Sequence, residues 1–247
     1  MTNKLIRLSK LISHAGVCSR KNAEFLIKNG DVKINNKIFK EFFIEKSLIK
    51  SIKVKDKLLS KIETRVWILN KPVGYVSSNK EQFSQKSLFR LIPKDLPRVV
   101  SVGRLDIQSE GLLLLTTNPK LSSYLEDPNN KIERKYIVKV SGKIPKNLGK
   151  LVNGQFFVNG ILYNGVKIKL PVCREKDMIE VELTEGKNRE IRNILDYFDL
   201  KVQKLKRISF GPFKLNGIDI GKFVETEINL LKKLLNSIGF MDENNFR

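Results

Sequence analysis

The chain contains very few of the residues that bind metals or form covalent crosslinks. Its 247 residues include one histidine, His14, and two cysteines, Cys18 and Cys173. A single histidine excludes a His-based metal cluster, and two distant cysteines form neither a disulfide framework nor a zinc motif. We therefore expect no metal site and a reducing, cytoplasmic environment. A lone histidine in a helix is more often a packed or surface residue than a proton shuttle, and His14 is interpreted in that way.

Long apolar runs and nucleotide-binding motifs are also absent. No run approaches the ~20 apolar residues that a membrane-spanning helix needs, and the first ten residues lack the apolar core of a signal peptide. Neither a GxGxxG motif nor a P-loop occurs. We expect a protein without a membrane-spanning segment and without a dinucleotide or nucleoside triphosphate bound by these motifs.

Positive charge is the most abundant feature of the composition. Forty-seven Lys and Arg residues face 26 Asp and Glu residues, so the net charge is +21. Such an excess indicates a polyanionic partner, and with no membrane segment the favoured partner is a nucleic acid. Residues 1–61 hold 15 basic and 5 acidic residues, about half of the excess in a quarter of the chain. This segment is a candidate electrostatic anchor.

The pattern of residues 1–61 predicts two short helices and a hairpin. Apolar residues recur at helical spacing between Leu5 and Ala15, and Ser19 and Gly30 are a start and a stop signal for a second helix. Beyond it, Val32 and Ile34 alternate with polar residues before an Asn-Asn turn. The RNA-binding candidates of this segment are Arg7, Lys10, Ser19, Arg20, Lys21 and Lys28. On charge alone, a solvated basic face is an equally good interpretation.

About thirty residues of this segment resemble a known RNA-binding module. The stretch reads RLSKLISHAGVCSRKNAEFLIKNGDVKINNK, and its Ser-Arg helix start and Gly-x-Val-x-Ile-Asn hairpin are similar to the module of ribosomal protein S4. The resemblance implies binding to structured RNA through phosphates, by shape more than by base sequence. We therefore divide the chain into an S4-type RNA-binding domain, residues 1–61, and a second domain, residues 62–247.

The second domain has the pattern of an α+β fold. Short apolar runs that indicate strands follow one another from residue 66, and few long helical patterns interrupt them. This order favours a mixed, largely antiparallel sheet flanked by helices. The clearest helical patterns are residues 188–198 and 225–238. The predicted strands are residues 66–69, 75–77, 99–102, 112–115, 136–140, 179–183 and 202–208.

One carboxylate lies in a turn between two of these strands. Asp106 belongs to the stretch GRLDIQSEGLLLLTTN, residues 103–118. An acid held at the edge of a sheet can act as a nucleophile or a base, because the strands fix it while the turn exposes it. Most aspartates in turns only accept hydrogen bonds from their own turn. The sixteen residues resemble, however, the catalytic motif of pseudouridine synthases, in the variant typical of the family of ribosomal small-subunit synthase A and large-subunit synthases B, E and F.

This resemblance implies roles for further residues. Tyr136, thirty residues after Asp106 in a Lys-Tyr-x-Val pattern, is similar to the active-site tyrosine of the family. Arg192, in GKNREIR, matches the basic residue that pairs with the catalytic aspartate in related synthases. Leu205 and Arg207, in LKRISFGPF, match the last family motif; Leu205 is expected to line the uracil pocket and Arg207 to support the site.

Other basic residues are expected to bind substrate phosphates. These are Arg104, beside the aspartate, and Lys187 and Arg189, near the predicted start of the helix. The segment NKPVG, residues 70–74, is similar to the opening Lys-Pro-x-Gly loop of the family and is assigned to structure or RNA contact. The chain departs from the family at Ser109, where Thr is frequent, and at Asn193, where a second basic residue is usual.

The resemblance implies an isomerase that converts a uridine of ribosomal RNA into pseudouridine without metal, redox cofactor or energy source. The Asn-Arg-Glu and Phe-Gly-Pro-Phe sequences are most similar to the large-subunit synthase B group, so 23S rRNA is the expected substrate and a monomer the expected state. The alternatives are a 16S rRNA synthase, a non-catalytic ribosome assembly factor, and a glycosidase. The last needs a second acid, and Glu110 is the only one near Asp106 in sequence.

Overall fold

A computed structural model describes residues 5–60, 62–78, 85–170 and 177–241. Residues 1–4, the last residue of the expected first domain and Cys173 therefore lie outside the described residues. The N-terminal part contains the elements β1 (Leu5–Arg7), α1 (Leu8–His14), α2 (Arg20–Asn29), β2 (Val32–Ile34), β3 (Lys37–Ile38), β4 (Phe43–Glu45), a 3-10 helix (Lys46–Ser51), β5 (Ile52–Val54) and β6 (Lys57–Leu58).

Local signals explain the helices of the N-terminal part. The Ser19 hydroxyl accepts a hydrogen bond from the Asn22 amide, and Gly30 ends α2 in the left-handed conformation at φ 81°. Both helices pack on a four-stranded sheet of order β3-β2-β5-β6, around a separate apolar cluster that includes Leu8, Ile27 and Ile52. The predicted helices and hairpin are therefore present, although Leu5–Arg7 forms a strand instead of the first helical turn. The domain boundary at 61/62 stays a prediction.

The second part is built on one large mixed sheet. Its order is β13-β14-β15-β12-β16-β11-β7-β18, with β10 paired to β11 and β17 to β16. Among its described pairings only β11 with β16 is parallel. The strands are β7 (Val66–Lys71), β10 (Val100–Val102), β11 (Glu110–Thr116), β12 (Arg134–Ser141), β13 (Gly154–Val158), β14 (Ile161–Lys169), β15 (Met178–Leu183), β16 (Lys201–Phe210), β17 (Phe213–Lys214) and β18 (Phe223–Glu225).

Helices and a small ribbon complete this part. The parallel ribbon pairs β8 (Tyr75–Val76) with β9 (Lys86–Ser87). The helices are α3 (Pro119–Glu126), α4 (Leu148–Leu151), α5 (Glu190–Asp196) and α6 (Ile228–Ser237), with 3-10 helices at Leu88–Leu91 and Pro128–Asn130. The helix predicted for residues 188–198 is thus shorter than expected, because a turn precedes Glu190.

The sheet separates two apolar clusters, and this arrangement positions the site. One cluster contains Leu113, Val138, Leu205 and the apolar side of α5. The other contains Leu112, Leu114 and the buried residues of α3 and α6. Alternate leucines of β11 therefore point to opposite faces, as the two-residue period of a strand requires. The continuous leucine run reflects burial of β11 on both faces.

Candidate active site

Asp106 lies in the connection between β10 and β11, at the rim of a cavity of about 1020 Å³. The two strands pair as antiparallel neighbours with Val102 opposite Leu114. Buried Leu105 fixes the connection to the core, whereas Asp106 itself is only half-buried. Its carbonyl oxygen accepts a hydrogen bond from the Ser109 amide at 3.0 Å. The turn is therefore closed by its backbone, which leaves the carboxylate at the cavity.

The buried Lys71 ammonium stabilises this turn through backbone hydrogen bonds. Its Nζ donates to the carbonyl oxygens of Pro72 (3.1 Å), Asp106 (3.2 Å) and Ser109 (2.9 Å). The side chain is fully buried, and burial lowers its pKa to about 8. Of the two roles predicted for residues 70–74, Lys71 therefore has the structural one. An RNA contact would require exposure that this side chain lacks.

Ser77 and Gly111 also determine the position of the turn. The Ser77 hydroxyl donates to the Leu105 carbonyl at 3.0 Å and accepts from the Leu105 amide at 3.1 Å. Gly111 pairs with Arg207 of β16 at φ 100°, and a Cβ there would lie 2.3 Å from the Arg207 carbonyl oxygen. Only glycine allows this close approach of the two backbones.

Three predicted residues meet on the floor of the cavity. Tyr136 on β12 is paired with Arg207 on β16, and Leu205 lies two residues before Arg207 on the same strand face. All three are buried, and all line the cavity. The structure thus brings together Asp106, Tyr136, Leu205 and Arg207, which are up to 101 positions apart in the sequence.

Arg192 enters the same cavity from α5 but does not make the predicted ion pair. Its guanidinium donates to the carbonyl oxygens of Gln108 (3.2 Å) and Val202 (3.4 Å). Within the described part of the chain no ion pair joins it to Asp106, although the two charges still attract each other electrostatically. Burial and the nearby Arg189 lower the pKa of Arg192. Arg192 therefore ties the turn to α5 through the Gln108 backbone, because Gln108 is nearer than the carboxylate.

Two buried charged residues of the cavity were missed in the sequence. Arg134 on β12 donates to the carbonyl oxygens of Thr184 and Leu125, both at 2.9 Å. Glu190, at the start of α5, is 3% exposed and accepts a hydrogen bond from the Lys187 amide at 2.9 Å. Burial raises the pKa of Glu190 to about 7. Glu190 is the first residue of α5 and Lys187 has no capping side chain, so this contact is not a capping box and the sequence carried no signal for it.

The candidate phosphate ligands differ in availability. Arg104 and Arg189 are exposed on the rim, and neither forms an ion pair in the described residues. Lys187 lies 2.9 Å from a Glu185 carboxylate oxygen and 5.6 Å from the Tyr163 ring centroid. The charge of Lys187 is thus already balanced by Glu185, so the predicted phosphate role is weaker for Lys187 than for the two arginines.

In the N-terminal part, four of the six RNA-binding candidates are exposed and form no ion pair in the described residues, although the Lys28 ammonium lies 5.9 Å from the centroid of the Phe42 ring. Lys10, Arg20, Lys21 and Lys28 are exposed. Arg7 instead forms an ion pair with Glu24 at 2.7 Å, and the Ser19 hydroxyl is engaged in capping α2. His14 lies beside Lys10 and Arg20, and burial together with these cations lowers its pKa to about 4.

Glu110, the second acid that the sequence offered for a glycosidase, does not share the cavity with Asp106. Glu110 lies outside the cavity lining, 3.2 Å from Lys204. Across the described ranges, no group of three His, Cys, Asp or Glu residues is placed to hold a metal ion. In those ranges no helix has the length and apolar character needed to cross a membrane.

Comparison with known proteins identifies relatives over almost the whole length. A family model described as RNA pseudouridylate synthase matches residues 65–197. A protein of Rickettsia typhi named an uncharacterized RNA pseudouridine synthase is 40% identical, with 94% of this chain and 96% of its own length covered. Proteins named ribosomal large subunit pseudouridine synthase B are 33% identical in Buchnera aphidicola (96% and 98% covered) and in Bacillus subtilis (92% and 95%).

A solved structure shows the same fold. A crystal structure of a pseudouridylate synthase aligns with a TM-score of 0.67 at 24% identity, and covers 93% of this chain and 99% of its own. The second part of the molecule therefore has the pseudouridine synthase fold, with a mixed sheet and flanking helices. Because the family model matches more than half of the chain and relatives match nearly all of it, the chain belongs to the RNA pseudouridine synthases, which are isomerases.

Proposed function

We propose that this enzyme converts a uridine of large-subunit (23S) ribosomal RNA into pseudouridine, in the cytoplasm and as a monomer. The large-subunit assignment is supported by the full-length relatives of Buchnera and Bacillus that are named large subunit synthase B. The observation that carries the chemistry is the convergence of Asp106, Tyr136, Arg192 and Leu205 on one cavity. Pure RNA binding would need none of these four.

Three of these residues take part directly in the proposed reaction, and Arg192 holds the turn of Asp106 through the Gln108 carbonyl. Asp106 is the nucleophile, since it is the carboxylate held at the rim by Lys71 and Ser77. Tyr136 removes the proton from C5 of uracil after C5 has bonded to the sugar C1′. Leu205 packs against the uracil ring. No metal or cofactor is assigned to the reaction, because bond breaking and bond formation occur within one nucleotide.

The uridine must leave its base stack to reach Asp106, which costs a few kcal/mol. Contacts with the RNA backbone can offset this cost. On the rim, Arg104 and Arg189 are the phosphate ligands, and Lys187 contributes less because of Glu185. In the N-terminal part, Lys10, Arg20, Lys21 and Lys28 form the basic surface of an S4-type RNA-binding domain.

The nucleophile can be tested with Asp106→Asn. This change removes the nucleophile but little contact area, so we expect RNA affinity within a few-fold of wild type and a rate below about a hundredth of it. Pseudouridine is mapped by mass spectrometry on 23S and 16S rRNA from cells that carry wild type, the variant or neither. Asp95→Asn, an exposed aspartate outside the cavity, is the matched control and should leave the rate unchanged.

Each alternative has its own signature in this experiment. A modified uridine in 16S rRNA alone would replace the large-subunit assignment. If the pseudouridine content of the rRNA is the same in all three strains and the protein binds RNA tightly, an assembly factor would be favoured. If Asp106→Asn retains more than a hundredth of the wild-type rate, Asp106 is not the nucleophile.

A further inference from the structure

Arg207 has a buried hydrogen-bond donor that no group of the protein uses. Its Nε donates to the Leu112 carbonyl at 2.7 Å, which fixes the orientation of the guanidinium. Its Nη2 is buried and has no partner among the described residues, and the residue is 3% exposed. Buried donors are nearly always paired, because an unpaired one costs about 1–3 kcal/mol. Arg207 is also one of the residues that line the active-site cavity, so a substrate that packs against Arg207 can supply the missing acceptor.

Arg134 and Phe210 hold Arg207 in place and concentrate positive charge there. The guanidinium carbons of Arg134 and Arg207 lie 4.6 and 5.0 Å from the centroid of the Phe210 ring. Both arginines are at least 95% buried, and neither forms an ion pair in the described residues. Burial lowers the pKa of Arg134, and the charge of Arg207 lowers it further. The carboxylates of Glu190 and Glu126 act on Arg134 only from beyond ion-pair distance. Two buried cations without an ion pair are a preorganised site for negative charge.

The position of Arg207 indicates which group of the substrate it would contact. Arg207 is the cross-strand neighbour of Tyr136 and lies two residues from Leu205, so its side chain is on the cavity floor. Exposed Arg104 and Arg189 are on the rim, where the phosphates of a flipped nucleotide remain. The group that reaches the floor is the base. Uracil offers two carbonyl oxygens there, O2 and O4.

We propose that Arg207 is a further catalytic residue, whose Nη2 donates to a uracil carbonyl oxygen and stabilises the detached uracil. This inference rests on the proposed function. Asp106 bonds to C1′ as the N1–C1′ bond breaks, and uracil keeps both bonding electrons, so its negative charge spreads over N1, O2 and O4. C5 then bonds to C1′ as the Asp106–C1′ bond breaks and the carboxylate is restored. Tyr136 takes the C5 proton and N1 gains a proton, so the atoms balance as in any isomerisation. Arg134 is a positioning residue that acts through Phe210.

The contact can be located by exchanging single oxygen atoms of the substrate. Synthetic RNAs carry uridine, 2-thiouridine or 4-thiouridine at the position modified by the wild-type enzyme, and single-turnover rates are measured with wild type and Arg207→Gln. Sulfur accepts hydrogen bonds poorly. We expect one of the two thio substitutions to slow wild type at least ~10-fold, as for the loss of a charged hydrogen bond. The same substitution should slow Arg207→Gln less than ~3-fold, because this variant has already lost the charged donor. The ratio of the two thio effects removes the intrinsic influence of sulfur on the reaction.

The variant by itself gives a second readout. Removal of a comparable donor costs about 10²–10³ in kcat, so Arg207→Gln should lose this factor in rate while RNA affinity stays within a few-fold. Arg207→Lys should recover only part, since one ammonium does not reproduce the guanidinium fork. Lys206→Gln is the control, because it removes a charge from the same strand on the other face.

The outcomes separate the inference from the proposed function. No pseudouridine from the oxygen-containing RNA would overturn both. A normal reaction with equal thio effects in wild type and Arg207→Gln would overturn the inference alone. The same conclusion would follow if wild type processes both thio RNAs at full speed, a result that does not depend on how well the variants fold. A loss of affinity without a loss of rate in Arg207→Gln would make Arg207 a phosphate ligand.

Discussion

Replacing Glu190 with glutamine should remove a pH dependence from the stability of the enzyme. Burial raises the pKa of this carboxyl from its ordinary value of 4.5 to about 7. The folded protein therefore holds the proton more tightly than the unfolded chain. Its contribution to stability is complete below about pH 4.5 and is lost as the pH rises through 7. At ~1.4 kcal/mol per pKa unit, the shift corresponds to at most about 3 kcal/mol.

Glu190→Gln keeps the shape and the acceptor for the Lys187 amide but cannot ionise. We expect it to match wild type near pH 4 and to exceed it by up to about 3 kcal/mol at pH 8.5. The measurement is the free energy of unfolding from urea denaturation at half-unit steps between these pH values. Glu41 is exposed, so the free energy of unfolding of Glu41→Gln should differ from that of wild type by the same amount at every pH. A flat difference for Glu190→Gln too would show that the buried carboxyl ionises normally.

Two further predictions concern charge at the active site and on the N-terminal part. Arg192→Ala should lower kcat far more than RNA affinity, because the contact with Gln108 is lost, and Arg192→Lys should recover part of the lost kcat. Single-turnover kinetics and filter binding measure the two quantities. Equal losses of kcat and affinity would make Arg192 a phosphate ligand. Changing four exposed cations to glutamine should lower the slope of log K against log salt by about one per lost phosphate contact; these are Lys10, Arg20, Lys21 and Lys28. An unchanged slope, or an equal drop with four exposed lysines of the second part, would locate the RNA anchor elsewhere; these are Lys143, Lys146, Lys150 and Lys232.

Local patterns in the sequence were sufficient for most elements. The predicted α2 begins after Ser19 and ends at Gly30 as expected, because both signals act within one helical turn. The seven predicted strands are all present with shifted ends. The missed α3 had a signal of the same kind, since Asn118 caps it and Pro119 occupies its first position. The β13–β14 hairpin was also missed, because apolar side chains such as Phe157 and Leu162 remain exposed there.

The sequence by itself determined the candidates for chemistry, whereas the tertiary structure decided their partners. The turn of Asp106 was visible because its two flanking strands are adjacent in the chain. The contacts of Lys71 with this turn, of Arg192 with Gln108 and of Arg134 with Phe210 join residues 35 to 84 positions apart. Propensity and periodicity describe only residues that are neighbours within a turn or a strand. The burial that raises the pKa of Glu190, and that leaves Arg207 Nη2 unpaired, exists only after distant strands pack together.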